Sequence, residues 1–308
     1  MAVAYSLSWP RYVILGSTKI ISLKGGSMAQ VAVVTDGAAA MPPELVEEYD
    51  IAVVPFQLMW EGETLRDGID ITPTQFYRRL RTAKSLPTTS QPLAGDFVRL
   101  YSELSKKAEA VVSIHVAKEF TGTYNTALLA AKQVATVPIE VIDSRTATMG
   151  QGFLVLEAAR AARRGASLSE VVARVKSLIP KVHVLATLDT LEYLRRSGRV
   201  PTLKASLGSI LNIKPVFHLY NGQARLYAQV RSKKRAVQIM VEAIPKTAEK
   251  ESLHIAVLHA DAPGEAEELK AQIVSRFDPP EVYIAEFSPV MGSHTGPGLL
   301  GITFYVDG

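Results

Sequence analysis

Alternating β-patterned and helical runs dominate the first half of the chain after Met28. Short runs rich in β-branched residues predict strands at residues 30–35, 51–58, 110–116 and 139–142. Apolar positions at helical spacing predict helices at residues 43–49, 73–81, 96–107, 122–135, 151–163 and 169–178. Such alternation predicts an α/β fold with a mainly parallel sheet that is flanked by helices on both faces. Pro55 inside the second strand predicts an edge or a bend, because proline cannot donate to the strand ladder.

The second half has a different pattern. Asn221-Gly222 between two β-patterned runs is a strong hairpin signal. Strands are predicted at residues 181–187, 215–220, 223–230, 253–258, 281–287 and 302–306, and helices at 191–196, 233–244 and 264–277. We therefore predict a domain boundary near residue 180, between an N-terminal α/β domain (28–180) and a C-terminal α+β domain (181–308) with a mixed sheet. Residues 1–27 are interpreted as a poorly ordered extension.

Composition excludes several classes of function. The chain has 308 residues and no cysteine, which excludes disulfides, thiolate zinc sites and cysteine nucleophiles. No apolar run approaches the roughly 20 residues of a membrane-spanning helix. The net charge of +4 is modest and does not indicate a nucleic-acid binder. The apolar residues 12–15 are too short for a signal peptide, so we expect a cytoplasmic protein.

Two hydroxyl-rich segments fall where ligands collect in parallel sheets, near the carboxyl ends of strands. Residues 87–92 carry three consecutive hydroxyls between two prolines, and Thr121-Gly122-Thr123 precedes a predicted helix. Hydroxyls and free amides at a helix N-terminus form an anion site. The alternative, simple helix capping by Thr121 or Thr123, stays open.

A glycine-rich segment near the C-terminus, residues 292–298, is predicted to be a turn between two strands and contains His294. This histidine could offer a hydrogen bond or a charge near neutral pH, or it could simply face solvent. The spacing of Gly296, Gly298 and Gly301 matches the dinucleotide fingerprint, but a strand follows it and the chain ends soon after, so we reject that reading.

Other catalytic and metal motifs are missing from the sequence. It contains no G-x-x-x-x-G-K-[ST] phosphate loop and no G-x-S-x-G nucleophile elbow. His254 and His259 lie five positions apart on a predicted strand and so face opposite sides, which disfavours a shared metal ion. His115 and His183 lie in apolar strands and are interpreted as core or edge residues. No metal site is predicted.

Taken in order, these and further fragments resemble the DegV family of bacterial fatty-acid-binding proteins, from Met28 to Gly308. Any one motif is weak, but eight in register are specific. The matching motifs are Val34-Thr35-Asp36, Thr89-Ser90-Gln91-Pro92, Thr121-Gly122-Thr123-Tyr124, Asp143-Ser144, Tyr193-Leu194 through Ser197-Gly198-Arg199, Leu211-Asn212-Ile213-Lys214-Pro215, Arg231 with Lys233-Lys234-Arg235-Ala236, and His294-Thr295-Gly296-Pro297-Gly298.

The resemblance implies a two-domain, monomeric carrier that buries one long-chain fatty acid such as palmitate and needs no cofactor. It implies that the hydroxyls of Thr89 and Thr121 bind the fatty-acid carboxylate. It also implies a partner, a fatty acid kinase, to which the carrier presents the acid and from which it receives the acyl phosphate. Residues near the head group would be Ser90, Gly122, His294 and Thr295, and residues that contact the partner or its phosphates would be Arg199, Arg231 and Lys234.

The sequence departs from the family pattern at two places. Gly37 stands where the family usually has a serine, and Ala117-Lys118 stand where two serines are common. Lys118 either pairs with the head group or points into solvent, and we favour solvent because exposed lysines are the norm.

Two other classes of function remain open from the sequence. One is a small-molecule enzyme with His294 as acid or base and with Arg199 and Arg231 as anion binders. The other is a nucleic-acid or regulatory binder that uses Arg195, Arg196, Arg199 and residues 231–235. The latter cluster lacks the interleaved aromatic residues on which single-stranded bases stack.

Overall fold

The computed structural model describes residues 29–198, 213–249 and 252–307. The predicted extension over residues 1–27 and the candidate partner-contact residue Arg199 lie outside these ranges. Within them, the strands form three sheets.

The first sheet is parallel, as predicted, with the strand order β2-β1-β6-β7. Its strands are β1 (Ala29–Asp36), β2 (Ala52–Val54), β6 (Ala108–His115) and β7 (Ile139–Asp143). Val31 and Val33 of β1 join one core cluster and Val34 joins another, because successive side chains of a strand face opposite ways. Helices consequently cover both faces. On the Val34 side lie α3 (Ala94–Leu104) and α4 (Thr123–Ala131), and on the other side α1 (Pro43–Glu48), α5 (Thr148–Arg163) and α6 (Leu168–Leu178).

The second sheet is mixed, with the strand order β10-β9-β8-β13-β11-β12. Its strands are β8 (His183–Thr187), β9 (Lys214–Tyr220), β10 (Gln223–Val230), β11 (Ser252–His259), β12 (Glu281–Glu286) and β13 (Leu300–Asp307). The β9–β10 hairpin is confirmed, with positive φ at both Asn221 and Gly222, as a two-residue type I′ turn requires. Two helices, α8 (Lys233–Glu242) and α9 (Pro263–Phe277), cover one face of this sheet.

A small antiparallel sheet, with the order β4-β3-β5, was not predicted. Its strands are β3 (Gln57–Trp60), β4 (Glu63–Arg66) and β5 (Thr88–Ser90). The predicted strand over residues 51–58 divides at Pro55 into β2 and β3, which belong to different sheets, so the bend is confirmed and the single strand is wrong. The segment 87–92, interpreted as a loop, contains β5, whose short polar sequence lacks a strand pattern. The helix α2 (Pro73–Leu80) follows β4.

The predicted turn over residues 292–298 is wrong in its first half. Residues up to Thr295 belong to the helix α10 (Pro289–Thr295), and the positive-φ residues begin only at Gly296. Ser288 caps this helix by accepting a hydrogen bond from the amide of Met291, and Pro289 occupies its first position. Gly292 obscured the helical pattern, and its missing side chain gives room to the Tyr77 ring.

The largest core cluster contains residues from both sides of the predicted domain boundary. Phe153 of α5, for example, packs edge-on against Tyr305 of β13, with 5.3 Å between the ring centroids. A further short helix, α7 (Glu192–Ser197), follows β8. The core of the described residues therefore shows no gap at the predicted boundary. That the two parts of the chain are separate folding units stays a prediction.

Candidate functional site

A cavity lies between the carboxyl-end edge of the first sheet and the inner face of the second. About 1120 Å³ of space that is not filled by protein atoms lies within it, its open mouth included. Loops that follow three parallel strands contribute Ala38, Val116 and Ala147 to its wall. This is the position that a parallel sheet with helices on both faces predicts for a ligand.

The opposite wall follows from the alternation of side chains along the central strands. On β8, Val184 and Ala186 line the cavity, and Leu185 between them joins the core cluster under α8 and α9. On β9, Phe217 and Leu219 line the cavity in the same way. These four side chains make this side of the cavity apolar.

Most of the polar side chains in the wall come from the predicted candidate residues. Thr89 lies at the middle of β5, and its Oγ1 is 3.1 Å from Nε2 of His294 in the last turn of α10. Thr121 and Thr295 also line the cavity. The structure thus brings to one cavity side chains that are more than 170 positions apart in sequence, such as Thr121 and Thr295.

Thr121 lies just before α4, next to the N-cap residue Gly122, and no described side chain caps this helix. The Thr121 Oγ1 accepts a hydrogen bond from the amide of Thr123, the first residue of α4, at 3.3 Å and lies 2.9 Å from the Thr123 hydroxyl. Helix capping by Thr121 or Thr123, which the sequence left open, is therefore not observed, because neither residue occupies the N-cap position. Thr121 also lines the cavity, where its hydroxyl can form a further hydrogen bond, because a hydroxyl oxygen has two lone pairs and one proton.

Ser90 and Gly122 support the site without being part of its described wall. The Ser90 hydroxyl donates to the backbone carbonyl of Gln91 at 3.3 Å. A Cβ on Gly122 would lie 3.1 Å from Cδ of Gln91, so the end of the Gln91 side chain approaches the backbone closely at this glycine. Gln91 itself lines the cavity and donates to Oγ1 of Thr126 at 2.6 Å, which ties the end of β5 to α4.

Beneath the cavity, a fully buried chain of hydrogen bonds begins at Tyr101. Its hydroxyl donates to Ser113 at 2.8 Å, Ser113 is 2.7 Å from Nε2 of His115, and Nδ1 of His115 is 2.9 Å from Asp36. Asp36 also accepts the backbone amides of two cavity-lining residues, Ala38 and Val116. The aspartate of the Val-Thr-Asp motif therefore fixes the floor of the cavity, and His115 is confirmed as a satisfied core residue.

The basic candidates lie elsewhere. Arg231 and Lys234 are exposed, and Lys234 lines a groove between α8 and α9, on the helix-covered face of the second sheet. Among the described residues that line the cavity, neither is present. Lys118 is about half exposed, with Nζ 4.0 Å from the Asp143 carboxylate, as the solvent-facing interpretation predicts.

Sequence reasoning missed Gln91 as a wall residue, the buried Thr148 at the start of α5, and the apolar wall. The alternation of side chains along residues 184–188 could have assigned Val184 and Ala186 to one face of a strand. It could not have shown that this face lines a cavity. Nothing in the sequence indicated that Thr148 lines a cavity. Its backbone is left-handed, with φ of 58°, and this conformation is unusual for a β-branched residue, so a sequence pattern does not predict it.

Two other features bear on function. Among the residues that the structure describes, no helix combines the length and apolar character needed to cross a membrane. In the same ranges, no group of three or more His, Asp or Glu side chains is arranged to hold a metal ion.

The model of the DegV family matches residues 30–307. A DegV domain-containing protein of Caldanaerobacter subterraneus is 34% identical over 281 residues, 90% of this chain and 99% of the relative. The crystal structure of DegV from Bacillus subtilis, described as a fatty acid binding protein, covers 91% of this chain and 100% of its own, with 32% identity and a TM-score of 0.85. A fatty-acid-binding DegV family protein from Thermus thermophilus covers 90% and 100%, also with 32% identity and a TM-score of 0.85.

Proposed function

Since the chain belongs to the DegV family, we propose that it binds one long-chain fatty acid, such as palmitate, in this cavity. In this proposal it acts as a monomeric cytoplasmic carrier and not as an enzyme. The observation that carries the proposal is a mainly apolar cavity whose wall includes the hydrogen-bonded pair Thr89 and His294 and also Thr121. The Bacillus subtilis and Thermus thermophilus relatives that share the fold are described as binding fatty acids.

The expected energetics divide between tail and head group. Burying about 14 methylenes at ~0.8 kcal/mol each contributes on the order of 11 kcal/mol before ordering costs. Hydrogen bonds from the two threonine hydroxyls to a carboxylate add about 1.5–3 kcal/mol each. The tail therefore supplies most of the affinity, and the head group fixes the orientation.

Purified protein is expected to carry its cargo. Organic extraction followed by mass spectrometry should recover close to one fatty acid per protein molecule, with about 14 to 18 carbons. The reason is that water solvates an apolar cavity poorly, whereas a hydrocarbon tail fills it favourably. Native mass spectrometry should show the same mass difference on a monomer. An empty protein that also fails to bind added fatty acid would refute the proposal.

Replacing Thr89 or Thr121 with valine keeps the shape of the side chain and removes the hydroxyl. Each change should weaken fatty-acid binding by about 1.5–3 kcal/mol, or about 10- to 150-fold, because the carboxylate loses a donor. Isothermal titration with palmitate measures the effect. Thr64→Val is the matched control, since this threonine is exposed on β4, lies outside the described cavity wall and should leave the affinity unchanged. Wild-type affinity in both valine variants would place the carboxylate elsewhere.

We further propose that the carrier presents the bound acid to a separate fatty acid kinase and carries the acyl phosphate. The sequence has no Walker-type phosphate loop, and the exposed Arg231 and Lys234 are candidate contacts for the kinase or its phosphates, as is Arg199. The isolated chain should then neither hydrolyse ATP nor phosphorylate fatty acid, and should support acyl phosphate formation only with an added kinase. ATP turnover that tracks this protein through purification would contradict the division of labour.

A further inference from the structure

Asp67 is a buried carboxylate beneath the helix that carries His294. It follows β4, is 1% exposed, and receives a hydrogen bond from the Ser288 hydroxyl at 2.8 Å. Its other oxygen lies 3.4 Å from the amide of Val290. Asp67 therefore holds the first turn of α10 from outside the helix. In the described ranges, no Lys, Arg or His pairs with this carboxylate.

A buried carboxylate without a cation beside it lowers the stability of the folded protein. Burying a charge without a cation is unfavourable, and burial raises the pKa of Asp67 to about 7, an effect that the Ser288 hydrogen bond offsets only in part. An asparagine would fill the same volume and form hydrogen bonds without a charge. Groups that break the ordinary rules of stability concentrate at functional sites, so the position of Asp67 needs a functional reason.

The functional reason is His294, which lies four residues after Val290 on α10. Val290 and His294 are one turn apart on α10, and both line the cavity. Because α10 has only seven residues, a shift of its first turn moves His294 as well. Tyr77 packs against Gly292 in the middle of the helix, and its hydroxyl donates to the Phe287 carbonyl at 3.2 Å.

We propose that Asp67 is a positioning residue, whose carboxylate holds α10, and thereby His294, in the geometry that receives the fatty-acid head group. The inference rests on the proposed function, since it assigns a role to the wall that would meet the carboxylate. The ionised form accepts hydrogen bonds from both Ser288 and Val290. The protonated form keeps one free acceptor, because one oxygen then carries a proton.

The proposal predicts that fatty-acid affinity rises with pH through about 7, as Asp67 ionises and α10 is held more firmly. Other titratable groups surround α10 and must be separated from Asp67. Burial, followed by the charge of Asp261, raises the pKa of Glu286 to about 7, so this residue titrates in the same range. Burial lowers the pKa of His259 to about 4 and raises that of Tyr77 well above its ordinary value, so neither titrates near pH 7.

Two further acids lie close by. Asp261 forms an ion pair with Arg81 of α2's C-terminal cap. Asp36 precedes Gly37, whose Cβ position is 3.3 Å from an Asp67 oxygen, but its own carboxylate bonds His115 and two backbone amides.

The test compares palmitate affinity between about pH 6 and pH 8 for wild type and Asp67→Asn. Wild-type affinity should rise about tenfold over this range, the size expected for one hydrogen bond to a charged group. The Asn variant should stay near the low-pH value of the wild type. Asp70→Asn is the matched control, because its carboxylate, in the same loop, bonds Arg66 and should leave the wild-type profile intact. Glu286→Gln should also retain that profile.

Stability separates positioning from a merely structural role. Since folding raises the pKa of Asp67, this residue contributes stability that is lost as pH rises from about 4 through about 7, and Asp67→Asn lacks that contribution, whereas the loss due to Glu286 remains in both proteins. Above pH 7 the Asn variant should thus be at least as stable as wild type while it binds less tightly. A structural defect would lower both the stability and the palmitate affinity of the variant.

A second readout needs no ligand. The imidazole resonances of His294 in NMR spectra of the delipidated protein should shift in Asp67→Asn and in Ser288→Ala, and should not shift in Asp70→Asn. The inference is overturned if Asp67→Asn keeps the wild-type pH profile, if Glu286→Gln flattens it, or if the His294 resonances do not move. A wild type that binds no fatty acid at any pH would instead refute the proposed function, and the NMR comparison would still decide the link between Asp67 and His294.

Discussion

Fatty-acid binding is expected to fall about a thousandfold in the variant Ala186→Phe, while the protein stays folded. Ala186 lies on β8 in the middle of the apolar wall, with its side chain in the cavity. A benzyl side chain would occupy the space of about five methylenes of the tail. At ~0.8 kcal/mol for each displaced methylene, the loss is about 4 kcal/mol.

The measurement is palmitate affinity together with the thermal midpoint of each protein. Ala135→Phe, at an exposed position beyond α4, is the matched control, and it should bind palmitate like the wild type. Shorter acids should lose less than palmitate in Ala186→Phe, because a shorter tail leaves more of the cavity free for the ring. If palmitate binds Ala186→Phe as tightly as it binds wild type, the tail does not run along β8.

Phe153→Ala is expected to lower the free energy of unfolding by about 3–5 kcal/mol, the usual cost of deleting a fully buried aromatic ring. Phe153 is fully buried on α5 and contacts the rings of Tyr283 and Tyr305 on β12 and β13, so it joins the two halves of the chain. Its removal leaves a cavity in the shared core cluster.

Denaturant unfolding, monitored by circular dichroism, measures the change in the free energy of unfolding. The same experiment tests the predicted boundary near residue 180. If the halves fold as one unit, a single transition should move to lower denaturant. If they are separate folding units, the wild type should show two transitions. Leu129→Ala, at an exposed position on α4, is the control and should change stability by less than about 0.5 kcal/mol. An unchanged midpoint in Phe153→Ala would mean that the ring adds little to the shared core.

The chemistry of the candidate site was only partly readable from the sequence. Thr89 and Thr121 could be singled out because their neighbours form recurring motifs, and both line the cavity. Gln91 was part of the same motif, but its bond to Thr126 depends on how β5 and α4 pack together. Asp67 carried no signal, since its partner Ser288 is 221 positions away.

Regular elements were predicted where the periodicity of apolar residues was strong. The β-branched run in β1 and the Asn221-Gly222 turn are local patterns, and the parallel sheet and the β9–β10 hairpin agree with them. Prediction was wrong where local signals were weak or conflicting. Thr88–Ser90 has too few apolar residues to indicate a strand, and it becomes one because β3 supplies hydrogen-bond partners. Gly292 suggested a turn, yet the Ser288-Pro289 start makes a helix.

The amino-acid sequence alone was enough to determine the α/β class, the parallel sheet, the hairpin and the family. Each of these depends on side chains that are near one another in the chain or on motifs in register. Tertiary structure decided that His294 meets Thr89, 205 positions away, and that the inner faces of β8 and β9 close a cavity. Hydrophobic periodicity specifies which side chains share a face of one strand or helix. Which faces then meet, and which space between them stays empty, depends on packing between segments far apart in the chain.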